Sequence, residues 1–162
     1  MVLDVDRDKI RELWFSGAGL EAGKLIFEAI PVADTPRWAA VVLQLCCSQS
    51  KPPKEVATIY RYALRRRKWK QANGLLNKLR ARTLKYERSP THPDPLYGAL
   101  LYVSEAVAKI TYNASGEPAP FDADSGWWLS ESLRRFSELT QSKVFQEAAF
   151  NLLISPLLTQ NA

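Results

Sequence analysis

Apolar residues recur at helical spacing along almost the whole chain. Ile10, Leu13 and Trp14 share one face of a segment at residues 6–15, and Gly17 and Gly19 follow as helix-ending signals. A second segment covers residues 20–30 and stops at Pro31. Thr35 followed by Pro36 has the form of a cap and a first helical residue, opening a nearly all-apolar helix that reaches about Ser48.

After Lys51-Pro52-Pro53 breaks the chain, Val56, Ile59, Tyr60, Ala63 and Leu64 fall at i, i+3, i+4, i+7 and i+8, a single helical face. Trp69, Ala72, Leu76, Leu79 and Thr83 form a stripe on a further helix at 68–86, and the break in phase predicts a bend near Arg67. Residues 88–94 are a proline-rich loop. Asp94-Pro95 repeats the cap-plus-proline start, before a helix at 96–112 that is apolar on nearly every side. Only a strip with Glu105 and Lys109, spaced i, i+4, looks solvated. A loop broken by Gly116, Pro118 and Pro120 leads to helices at 125–139 and 142–154, the last expected to stop before Pro156. No pair of alternating runs flanks a hairpin turn. The pattern predicts an all-α fold: a single globular domain, 1–162, of about seven or eight helices, with 38–47 and 96–110 central.

A chain of 162 residues, 46% hydrophobic and 24% charged, has the size and balance of one folded domain that needs no staples. Its first residues carry acids and no apolar stretch, unlike a secretory signal, and the longest apolar run, 38–47, is far short of the ~20 residues of a membrane span. Cys46 and Cys47 are adjacent and cannot bridge distant segments. A cytoplasmic location is the resulting expectation.

Charge changes the picture most. Residues 61–88 hold eleven Lys or Arg and one acid, Glu87, a net of +10, whereas the remainder is acidic, at −5. Lys54, Arg61, Arg65 and Lys68 share one side of the first basic helix; Lys70, Lys78, Arg82 and Lys85 lie opposite the apolar stripe of the second. Such a face suits an acidic protein surface or phosphates. Tyr62 and Tyr86 are the aromatics near it, few for stacking nucleobases.

Catalytic and metal signatures are missing. The lone histidine, His92, has no partner at ligand spacing, and Cys46-Cys47 sits in an apolar helix that suits buried thiols better than a reactive thiolate. Asp122-x-Asp124-x-Gly126 resembles the start of a calcium loop but lacks a third donor and a correctly spaced glutamate, so helix capping explains the acids better. Trp127 points away from the stripe of Leu129, Leu133 and Phe136, so it is either folded under its own loop or an exposed anchor.

The leading expectation is a non-enzymatic protein that binds an acidic protein surface through Arg61, Arg65, Lys68, Lys70, Lys78, Arg82 and Lys85, with Trp127 as a further anchor and no cofactor or metal. Weak nucleic-acid binding by the same face is the alternative. An enzyme with a site around Tyr112, Asp122, Asp124 and Trp127 is the third.

Overall fold

Among the described residues the helical periodicity is realised as eight α-helices: α1 (Arg7–Phe15), α2 (Gly19–Phe27), α3 (Thr35–Cys47), α4 (Glu55–Arg65), α5 (Ala72–Arg88), α6 (Pro95–Asn113), α7 (Asp124–Leu139) and α8 (Lys143–Thr159). Two short 3-10 turns, Val32–Asp34 and Trp69–Gln71, lead into α3 and α5. The computed structural model describes residues 6–65, 69–89, 94–114 and 124–159, and among these there is no strand. The bend expected near Arg67 lies outside the described residues.

Local chemistry sets the ends. The Asp6 carboxylate accepts the Lys9 amide at 3.1 Å and caps α1. At the other end Gly17 takes φ 98°, and the Ala18 and Gly17 amides close back onto the Leu13 and Trp14 carbonyls at 2.8 and 3.4 Å. That closure turns the chain at once, so Gly19 opens α2 and does not end α1. Thr35 is the first residue of α3, with its hydroxyl donating to the Val32 carbonyl at 2.8 Å. Asp94 caps α6 through the Leu96 amide at 3.0 Å, with Pro95 in the first turn.

The end of α8 differs from expectation, because the helix continues through Pro156 to Thr159. A proline there lacks the amide that would bond the carbonyl four residues earlier, Leu152. The Ser155 hydroxyl donates to that oxygen at 2.8 Å, and the neighbouring Leu153 carbonyl accepts the buried Trp38 indole N–H at 3.2 Å. The one acceptor that Pro156 strands is thus satisfied within the helix.

One continuous buried cluster takes residues from all eight helices. As its composition predicts, α6 is central: Leu100, Leu101, Val103, Val107 and Ile110 are fully or almost fully buried, and it packs against α3, α4, α5 and α7. The Ser104 and Thr111 hydroxyls, also buried, donate to carbonyls one turn back at 2.7 Å, which makes them compatible with an apolar setting. The other hub is α7, which touches α1, α2, α3, α6 and α8.

Helices α2 and α7 pair closely through glycines. A methyl group at Gly23 would stand 2.6 Å from the Ser130 Cβ and 2.8 Å from the Trp127 Cα, and one at Gly19 would stand 2.9 Å from the Glu131 Cα. Across the interface a methyl at Gly126 would enter the Phe27 ring. No side chain fits at these positions, so the two backbones meet directly. Gly74, by contrast, has nothing within 4 Å of its missing Cβ and lies exposed on α5. Gly23→Ala is therefore expected to destabilise the fold by about 1–3 kcal/mol through overpacking, whereas Gly74→Ala should gain about 0.5 kcal/mol from helix propensity. Denaturant melts of the two variants measure both signs; a Gly23→Ala variant as stable as the parent would show that the helices can part at no cost.

Candidate interaction surface

The basic helices α4 and α5 pack against each other and lie on α6, with the chain between them pinned by Trp69, whose indole N–H donates to the Tyr62 carbonyl at 2.6 Å. Of the bases singled out by sequence, Arg61, Arg65, Lys70, Lys78 and Lys85 are exposed, and none forms an ion pair among the described residues. Lys68 lies outside those residues. Arg82 is used differently: its guanidinium grips the Glu55 carboxylate on α4 with Nε–Oε2 at 2.8 Å and Nη2–Oε1 at 2.9 Å. Burial pushes the Glu55 carboxyl up, but hydrogen bonds from Arg82 and the backbone, with the charges of Arg82 and Lys54, outweigh it and hold the group below its ordinary value. This forked pair fastens the two basic helices together. Sequence periodicity missed it, because Arg82 lies at the edge of the polar side of α5, within reach of α4.

The aromatics near this face serve the interior. Tyr62 packs against the core, and Tyr86, also core-packed, donates its hydroxyl to the Asp94 carbonyl at 3.1 Å. Neither is displayed as a stacking platform.

For Trp127, the preceding loop expected to fold over it lies outside the described residues. The face of α7 that carries it, together with Glu131 and Arg134, is covered by α2: the Trp127 ring is half-buried against the core with Lys24 Nζ 5.2 Å from its centroid. The helical-wheel inference of an outward face fails because α7 has neighbours on both sides. Glu131, 5% exposed, is held by a fork from Arg134 at 2.6 and 3.1 Å and by Arg135 at 3.0 Å. Burial raises this carboxyl, and the two arginines more than reverse the effect, leaving it below its ordinary value.

On its other flank α7 helps form a cleft of about 590 Å³ with α2, α5 and α6. Its walls are aromatic and aliphatic: Trp127, Trp128, Tyr102, Leu20, Leu76 and Ala106. Tyr102 and Trp128 meet edge to face with centroids 6.2 Å apart. Polar groups at the cleft include Arg80, Glu105, Lys109, Asp124 and Ser125. The cleft thus gathers Asp124 and Trp127, while Tyr112 is not among its walls and Asp122 lies outside the described residues. Asp124 is the first residue of α7 and Gly126 is packed inside that helix, so this stretch is helical from Asp124 onward and does not continue as a calcium loop. Asn113 donates to the buried Ser125 hydroxyl at 3.1 Å, tying the end of α6 to the start of α7.

Glu105, expected on a solvated strip, lies half-buried between α5 and α6, where it accepts the Thr83 hydroxyl at 3.1 Å and stands 3.9 Å from Arg80. The polar stripe of α6 is wet in sequence only, because α5 packs over it. Cys46 is fully buried and Cys47 half-buried, and burial pushes both thiols up, away from reactive thiolate character. His92 lies outside the described residues. Among those residues no group of three His, Cys, Asp or Glu is placed to hold a metal, and no helix is long and apolar enough to cross a membrane.

No protein-family model matches the chain, and neither a curated protein nor a solved structure gives a match. Any functional inference therefore stands on the surface chemistry itself.

Burial pushes the Glu105 carboxyl above its ordinary 4.5, opposed by the Thr83 hydrogen bond and the Arg80 charge and reinforced by Glu87. With a folded-state value above the unfolded one, its contribution to stability is complete below the unfolded value and is lost as pH rises through the folded one. Glu105→Gln retains an oxygen for Thr83 but cannot ionise, so it should gain stability relative to the parent as pH is raised from about 4 to 7. Urea titrations across that range check the trend; a difference independent of pH would place the carboxylate in full contact with water.

Proposed function

We propose that the protein is a non-enzymatic binding module that docks an acidic protein surface on the outer side of α4 and α5. The observation that supports this most directly is the set of exposed, unpaired bases there. Arg61, Arg65, Lys70, Lys78 and Lys85 carry no ion pair among the described residues, although arginines elsewhere do: Arg11 with Glu147, and Arg134 and Arg135 with Glu131. Charge left unpaired on one side of a molecule steers an oppositely charged partner and fixes its orientation. Because Arg82 is committed to Glu55, the bases are mounted on helices that are themselves tied together.

A duplex or single strand would meet the same cations, but with Tyr62 and Tyr86 turned to the interior it would gain charge neutralisation without stacking. Nucleic acid is thus expected to bind no tighter than about 10 μM at physiological salt, each phosphate contact adding about −0.7 to −0.9 to the slope of log K against log salt. A partner captured from lysate should survive nuclease treatment and be lost when Lys70, Lys78 and Lys85 are changed together to Glu. Submicromolar nucleic-acid binding that the same triple change abolishes would make nucleic acid the partner instead.

A further inference from the structure

Beside the row of bases, α3 and α4 enclose an open groove of about 580 Å³ that no described residue fills. Its floor and walls are apolar: Leu43 and Val56 are buried, Cys47 and Tyr60 are half-buried, and Pro52 and Ala57 are exposed at its edges. Desolvation raises the Cys47 thiol, so this sulfur stays neutral and belongs with the apolar lining. Polar groups are confined to Gln44, which accepts the Tyr60 hydroxyl at 3.2 Å, and Arg61. No acid lines it. The acid of this part of α4, Glu55, projects to the opposite side and is neutralised by Arg82.

The rim is cationic over a longer stretch than the groove. Lys51 precedes Pro52, Lys54 stands just before α4, and Arg61, which lines the groove, and Arg65 lie along the helix; all four are exposed. From Lys54 to Arg65 the chain spans about 16 Å at 1.5 Å per residue, roughly three helical turns. A small ligand is shorter than that row, and a phosphodiester strand has no use for an apolar slot. An amphipathic helix with apolar side chains on one face and carboxylates on its flank matches both parts.

From this apolar slot and its one-signed rim, we propose that the α3–α4 groove receives the apolar face of an acidic amphipathic helix from the partner, whose carboxylates meet Lys51, Lys54, Arg61 and Arg65. The inference deepens the proposed function and rests on it for the charge of the partner. It adds a requirement that charge alone does not impose: an apolar anchor entering between Leu43, Val56 and Tyr60. Without such an anchor, contacts at the exposed bases are screened by salt and weak. With one, the desolvated centre carries the affinity and the bases set register.

The test uses the full chain and two fluorescein-labelled synthetic helices identical in charge, one with leucines at i and i+4 between flanking glutamates and one with alanines in their place. Fluorescence anisotropy should show the leucine helix binding about tenfold or more tighter than the alanine helix. Ala57→Trp, at an exposed position, should fill the groove and remove that difference while leaving the melting temperature unchanged. Arg61→Glu should weaken the leucine helix and be rescued by a helix with lysine at the facing glutamate, a charge swap that a merely structural defect would not repair. Equal binding of the two helices, no binding of the leucine helix, or a preference untouched by Ala57→Trp each overturns the groove assignment. The broader function is judged separately, by the charge reversal of Lys70, Lys78 and Lys85, none of which lines this groove.

Discussion

The fold depends on how closely α2 can approach α7. Gly19 and Gly23 on one helix, and Gly126 on the other, remove every side chain that would hold the backbones apart, so that Phe27 lies over Gly126 and Ser130 lies under Gly23. Contact at that range multiplies the dispersion terms that a looser pairing forfeits. It also brings the start of α2 beside Glu131, whose negative charge is suited to the positive end of a helix and is already neutralised by Arg134 and Arg135. With α2 fixed, α1 follows through its glycine turn and through the Trp14 indole, which donates to the Ser130 carbonyl at 3.3 Å. The rest of the core is arranged around α7 and α6.

This arrangement divides the charges. Three acids outside the basic stretch pair with arginines of the same helix or a neighbouring one: Glu131 and Glu138 with Arg134 on α7, and Glu147 on α8 with Arg11 on α1. They are not spent on α4 and α5. Of the bases carried there, Arg82 goes to Glu55 and Arg80 to Glu105, and five others face solvent unpaired among the described residues. The same packing leaves the groove between α3 and α4 open beside them among the described residues. The unpaired charge on this side is a consequence of where the internal pairing stops.

Much of the fold was legible because each helix repeats a one-sided pattern. Ile10 and Trp14, Val56 with Ile59 and Ala63, and Leu76 with Leu79 and Thr83 are all buried as their spacing predicts. The failures occur where a helix is covered on a second side or where a side-chain donor intervenes. Glu105 falls on the polar strip of the wheel, yet α5 covers it; Pro156 reads as a stop, yet the Ser155 hydroxyl satisfies the one carbonyl, Leu152, that it strands. The Gly19-x3-Gly23 spacing was present in the sequence as a mark of close helix contact, but a spacing does not name its partner helix. At the surface, the charge run located the bases, while the commitment of Arg82 to Glu55 and the groove beside Arg61 arise only when α3, α4 and α5 are brought together.

If the glycine contact between α2 and α7 organises the fold, the two helices must open together. Native-state hydrogen exchange reads this directly from the amides of Ala22 and Ile26 on α2, Leu129 and Leu133 on α7, and Val103 and Val107 on α6. The account predicts that all six exchange only through global unfolding, with one common free energy and one common denaturant dependence. Exchange of the α2 amides at a distinctly lower free energy, with α6 and α7 still protected, would show that α2 is an appendage to a core that stands without it.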